Sequence, residues 1–321
     1  MLKKILFSFI ILLFSAGGAV AEKWDMPTPY PDKTFHTVNI YEFVEDIKTA
    51  TDGAIDIQVH SAGSLFKHPD IKNAVRSGQV PIGEFFLPLL GNDNPIFDMD
   101  SLPFLATSYE EAGILWKAQK DAVTKLLDEQ GLLPLYVVPW PPQCFYSKNP
   151  VNSIEDLKGL KFRANNPMQH QLAQKLGMVP TQIEVPDIPQ AFATGRVESM
   201  MTSPSTGANT KSWDYVNHYY DVKAWLPKNV VVVNKKAWRK LDEKTQQAIL
   251  DAAARAEERG TKMSMEETDA KVAILKQEGM TVHSEGIDDL LDGMKKAGEE
   301  MLADWLEKAD ADGKAVIESY N

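Results

Sequence analysis

The feature that most constrains the fold is an alternation, along the chain, of short strand-like runs with stretches of helical spacing. Residues 54–59 (Ala-Ile-Asp-Ile-Gln-Val) place apolar side chains at every second position, as a strand with one buried face requires. Further strands are expected over 79–87 and 133–139. Between them, helical spacing marks 37–50 (Ile40, Val44, Ile47), 70–77 and 109–129, with breaks at Asp52-Gly53 and Gly78. The Pro- and Thr-rich stretch 24–36 reads as a loop feeding the first helix. Such alternation implies α/β layers on a largely parallel sheet.

A second block repeats the pattern. Ser153 opens a capped turn over Glu155-Asp156-Leu157, and Gly159 precedes a strand over 160–163. Asn165-Asn166-Pro167 caps a helix over 168–176 that Gly177 stops. Another helix over 187–194 leads to a strand over 197–202. The third region, 238–319, consists of long charged helices, above all 242–276. A helix of that length fits neither sheet and is expected to brace both blocks. The chain contains no short tandem repeat, which excludes solenoids.

Residues 1–21 run from Lys3-Lys4 through an apolar stretch over 5–14 to Ala19-Val20-Ala21, the order of a secretory signal peptide cleaved before Glu22. The apolar stretch falls short of the ~20 residues of a spanning helix, and no later segment is continuously apolar for long enough. Export to the periplasm without stable membrane insertion is therefore expected. The roughly 300 residues that remain exceed the size at which one core stops growing, so two domains are expected.

The chain carries 34 Lys and Arg against 45 Asp and Glu, a net −11, and loss of Lys3 and Lys4 takes the mature protein to −13. That balance argues against nucleic acid and anionic lipid as partners, but not against a small anion in a locally basic pocket. Cys144, the single cysteine, excludes an intramolecular disulfide and reads as a small buried apolar residue rather than a nucleophile. His36, His60, His68, His170, His218 and His283 show no metal-binding spacing, so no metal is expected. Phosphate-binding glycine loops, nucleophile elbows and His-Glu-x-x-His are all missing, and neither catalysis nor a cofactor is expected.

Arg163 stands out, because it follows Lys161-Phe162 at the carboxyl end of an expected strand and precedes Asn165-Asn166-Pro167. Ligands of open α/β sheets gather at such ends, and a guanidinium fork matches a carboxylate with two parallel hydrogen bonds. The words around it matter as much. Asp156-Leu157-Lys158-Gly159-Leu160-Lys161-Phe162-Arg163 is followed by Leu176-Gly177-Met178-Val179-Pro180 and Ala191-Phe192-Ala193-Thr194-Gly195-Arg196-Val197-Glu198. Upstream stand Thr51-Asp52-Gly53, Ser61-Ala62-Gly63-Ser64-Leu65, Val75-Arg76-Ser77-Gly78 and Leu102-Pro103-Phe104-Leu105, and downstream Asn234-Lys235-Lys236-Ala237-Trp238 with Leu241. This ordered set resembles the substrate-binding proteins of tripartite ATP-independent periplasmic (TRAP) transporters over nearly the whole mature chain.

The resemblance implies a two-domain periplasmic-binding-protein-like fold, with a hinge of crossing strands and a long helix bracing both domains. Domain I is expected over 22–140 plus about 229–268, and domain II over 141–228 plus about 269–321. It also implies that Arg163 grips a ligand carboxylate. Gln143 stands where relatives often carry a second basic residue, so it is expected to donate a neutral hydrogen bond, which argues against sialic-acid-like ligands. Thr202 and Ser203 are expected to bond the ligand or to cap a helix. Glu84 occupies the place of a ligand-facing acid. Trp140, Phe145, Phe85, Phe86 and Trp225 gather near the cleft and favour an aromatic or short branched monocarboxylate. The expected partners are that acid and the membrane permease subunits, with the chain itself monomeric. Two alternatives remain at this stage: a periplasmic hydrolase or lyase, for which Glu84 with His36 is the available pair, and a sensor-type binding subunit.

Overall fold

The structure, a computed structural model, describes residues 21–320. The expected signal segment, apart from Ala21, lies outside them. The first block comprises β1 (Glu22–Pro27), α1 (Phe35–Ala50), β2 (Ile55–His60), α2 (His68–Ser77), β3 (Ile82–Phe86), α3 (Tyr109–Glu129) and β4 (Leu132–Pro139). There follow β5 (Cys144–Ser147), β6 (Lys161–Ala164), α4 (Pro167–Lys175), β7 (Val179–Gln182), α5 (Ile188–Ala193), β8 (Ser199–Thr202), α6 (Pro204–Asn209) and β9 (His218–Tyr220). The chain ends with β10 (Lys228–Asn234), α7 (Lys235–Trp238), α8 (Glu243–Gln277), β11 (Thr281–His283), α9 (Asp288–Lys308) and α10 (Ala311–Tyr320).

The sheets are mixed, which corrects the expectation of a largely parallel one. β1 and β2 pair in parallel, β10 runs antiparallel between β3 and β4, and the order of the largest sheet is β11-β9-β5-β8-β6-β7. In that sheet β6 is parallel to β7 and β8, whereas β5 is antiparallel to β8 and β9. The reversals lie at β10, which returns from the second block into the first, and at β5, which enters the second block from the first. The stretch expected as a loop from Trp24 onward begins as strand β1, whose Trp24 and Met26 turn inward while Lys23 and Asp25 stay exposed.

Side-chain alternation fills a core on both faces of the two larger sheets. Val231 and Val233 of β10 join Phe86 and Tyr136 in one cluster, and Val230 and Val232 join Phe85 and Val137 in the opposite one. In the large sheet Phe145, Phe162 and Met201 face one cluster, and Cys144, Tyr146 and Met200 the other. Burial pushes the Cys144 thiol up to about 12, so it is an inert core residue.

Local chemistry sets the helix starts. Ser108 and Glu111 form a capping box at α3. Asn166 caps α4, accepting from the Gln169 amide at 2.7 Å, with Pro167 in the first turn where its missing N–H costs nothing. The long helix α8 packs on α1 and β4 at one end and on α6 and β11 at the other, so it touches both sheets. Its inner stripe is small: Ala252, Ala253, Ala256, Gly260 and Ser264. At Gly260 a Cβ would meet Asn39 Nδ2 and Val138 Cγ2 at 2.6 Å, so glycine permits this close approach.

Candidate ligand-binding site

Two crossing segments join the sheets side by side. The Trp140 amide donates to the Pro227 carbonyl at 2.8 Å, the Gln143 amide to the Trp225 carbonyl at 2.8 Å, and the Ala224 amide to the Gln143 carbonyl at 2.9 Å. Beside them lies a narrow cleft, partly open to solvent.

Arg163 is 1% exposed and lines this space. Within β6 it faces away from Phe162 and Ala164, so strand alternation delivers it to the cleft instead of the core behind. Its Nε donates to the Ile183 carbonyl at 2.8 Å, which fixes the guanidinium plane, and Nη1 has no partner among the described residues. Burial pulls its pKa down to about 10, against the opposing pull of the Glu184 carboxylate, and the group remains charged at neutral pH. A buried cation with an unpaired donor is suited to bind an anion.

Of the other residues singled out in the sequence, Trp140, Gln143, Thr202 and Ser203 also line the cleft. Gln143 spends one Nε2 hydrogen on the Pro141 carbonyl at 2.9 Å. Ser203 caps α6, its Oγ accepting from the Thr206 amide at 3.1 Å, while still bordering the space. Phe85 and Trp225 do not reach it. Phe85 points to the opposite face of β3 from Phe86, which does line the cleft, and Trp225 is packed within the core of the second sheet.

Glu84 and His36 lie behind the wall, 2% and 1% exposed. Glu84 accepts from Thr28 Oγ1 at 2.5 Å and from Asn229 Nδ2 at 2.8 Å, with His36 Nδ1 3.4 Å away. Burial works against its charge, yet His36 and these hydrogen bonds hold the carboxyl below its ordinary range. Burial pushes the His36 imidazole down, against the opposing pull of Glu84. Asn229 Oδ1 in turn accepts from Trp140 Nε1 at 2.9 Å and Tyr30 Oη at 3.2 Å, so this network orients two aromatic walls of the cleft. Glu84 and His36, the pair available for a hydrolase, thus have no access to the ligand space.

Tyr30, His68, Asn165 and Glu184 line the cleft without having been singled out as site residues. Asn165 directly follows the arginine strand, a signal that was available, and its Oδ1 is buried without a partner. His68 and Glu184 carry no local signature. They meet across 116 positions of sequence, Nδ1 to Oε2 at 3.0 Å, joining α2 of the first block to the segment after β7. Among the described residues no cluster of three His, Cys, Asp or Glu is placed to hold a metal.

Residues 29–308 match the family described as bacterial extracellular solute-binding protein, family 7. The chain belongs to this family. Two solved extracytoplasmic solute receptors of Bordetella pertussis that bind pyroglutamic acid resemble it with TM-scores of 0.91. One is 40% identical, over 94% of this chain and 99% of that one, and the other 42% identical, over 93% and 99%. A marine metagenome TRAP solute-binding protein specific for pyroglutamate, solved with the co-purified compound, is 41% identical over 94% of this chain and 98% of its own, with a TM-score of 0.91. This member of family 7 is accordingly a TRAP-type extracytoplasmic solute-binding protein, a non-enzymatic receptor with the mixed α/β periplasmic-binding-protein fold. No helix among its described residues is long and apolar enough to cross a membrane.

Proposed function

We propose that this receptor captures a small cyclic monocarboxylate, pyroglutamate in the first place, and delivers it to the permease subunits of a TRAP transporter from the periplasm. The observation that carries the proposal is Arg163, buried, charged and with Nη1 unpartnered beside a small cleft. The three relatives that bind pyroglutamate, each at 40% identity or above, support the choice of acid. The aromatic or short branched acid expected from the sequence has less support, since three of the aromatic residues behind that expectation, Phe85, Phe145 and Trp225, face the core. Tyr30, Phe86 and Trp140 still offer an apolar wall for the ring.

In this reading the paired crossing segments are the hinge. The lobes are 22–140 with about 229–268, and 141–228 with about 269–321, closing over the acid as the monomer binds it. Isothermal calorimetry with pyroglutamate, benzoate and 2-oxoisovalerate tests the proposal. Pyroglutamate is expected to bind at least tenfold tighter than either competitor. Binding of benzoate or 2-oxoisovalerate alone would return the ligand to the aromatic or branched class.

A further inference from the structure

The Ile183 carbonyl that holds Arg163 Nε belongs to the residue before Glu184, so one short segment sets both the cation and a carboxylate at the same space. Glu184 is fixed from the other side of the cleft. His68 Nε2 accepts from the Phe86 amide at 3.0 Å, which puts the ring proton on Nδ1, and Nδ1 donates to Glu184 Oε2 at 3.0 Å. Burial would raise the Glu184 carboxyl, but the hydrogen bond from His68 and the nearby charge of Arg163 hold it below its ordinary range. An ionised carboxylate only accepts hydrogen bonds. With Oε2 committed to His68 and Gln182 alongside, Glu184 keeps acceptor capacity at Oε1 and lines the cleft.

We propose that Glu184, oriented by His68 across the cleft, is a specificity-determining residue that selects acids presenting an N–H donor beside the carboxylate held by Arg163. This rests on the carboxylate reading above and adds to it the second half of the recognition. A ligand with an ether or ester oxygen in place of the N–H sets a lone pair against an anion, and nothing in the pair compensates. A site built to hydrogen-bond a donor rejects the isostere lacking it far more strongly than an apolar wall rejects a missing methylene. His68 acts through Glu184 and is a positioning residue.

The test compares pyroglutamate with its lactone counterpart, 5-oxotetrahydrofuran-2-carboxylate, which keeps the ring size, carboxylate and carbonyl but replaces N–H by oxygen. Calorimetry on the wild-type protein is expected to show the lactam at least tenfold tighter than the lactone. In Glu184→Gln the amide oxygen still accepts from His68 while the amide NH₂ takes the position facing the ligand. The preference should then shrink to about unity or invert. Equal binding of both acids by the wild-type protein would overturn the inference while leaving the carboxylate reading intact, and needs no variant. Binding of neither acid would overturn both. A Glu184→Gln protein that melts like wild type and keeps the full lactam preference would also overturn it, since a merely structural Glu184 leaves the ratio unmoved.

Discussion

Replacing Arg163 by alanine tests the centre of the site. The guanidinium is fully enclosed, tied to the Ile183 carbonyl and unpaired at Nη1 among the described residues. In the proposed reading a ligand carboxylate pairs with Nη1. Truncating one member of a buried charge pair costs ~2–5 kcal/mol of binding, a loss of at least roughly thirtyfold at ~1.4 kcal/mol per factor of ten. In a thermal-shift assay with ligand at a hundred times the wild-type Kd, mass action stabilises wild type by ~2.7 kcal/mol. A thirtyfold weaker variant at the same concentration gains only ~0.9 kcal/mol. At ~2–4 °C per kcal/mol the expected melting shift falls from roughly 5–10 °C to about 2–3 °C or less. Arg163→Lys should also lose affinity, because an ammonium cannot hold both the Ile183 carbonyl and a carboxylate in one plane. Ligand-induced shifts in Arg163→Ala equal to those of wild type would remove Arg163 from the site.

Three further outcomes follow from the buried polar groups and the close helix contact. Burial, together with the Asp100 charge, raises Asp98 to about 8, so the folded state holds a proton that the unfolded chain releases near pH 4. Stability is therefore lost as pH rises between those values, and Asp98→Asn should flatten the fall in melting temperature from pH 5 to pH 8; an unchanged profile would refute this. Asn229→Ala strands Trp140 Nε1 and an oxygen of Glu84, at ~1–3 kcal/mol per buried group, and should lower the denaturation midpoint and weaken ligand binding together. Gly260→Ala should cost ~1–3 kcal/mol in urea denaturation with the slope unchanged, since the new methyl must displace Asn39 and Val138, and a neutral effect would show that α8 can move aside.

The sequence discloses what is local. The span of α3 over Tyr109–Glu129 follows from its spacing and its Ser108–Glu111 capping box, and Arg163 from its place at the end of a strand. β1 escaped because Pro27, Pro29 and Pro31 mask an alternation that only burial beside β2 reveals. The antiparallel place of β10 escaped because its partners lie far back in the chain, in β3 and β4. Phe85 was grouped with Glu84, yet neighbours in a strand face opposite ways, so the cleft took Phe86. His68 and Glu184 carry information only as a pair, and no periodicity reports a contact between α2 and the segment after β7.

The acidic balance of the chain, −11 overall, poses the question of how it holds an anion. Exposed charges act through water and are screened beyond ~8 Å at physiological salt, so the acidic helix α9 contributes little inside the cleft. Arg163 is enclosed where screening is weak, and the half-buried Glu184 borders the same space, so the signs are arranged locally. Glu84, a buried carboxylate nearby, is occupied by Thr28 and Asn229 behind Trp140 and Tyr30. The remaining field runs from a cation with a free donor to a carboxylate with a free acceptor. A dianion finds one cation for two charges and a repelling Glu184. A molecule that is anionic at one edge and donates a hydrogen bond from the next atom finds both groups already oriented, so the local order of charges, and not the net charge, decides what the cleft accepts.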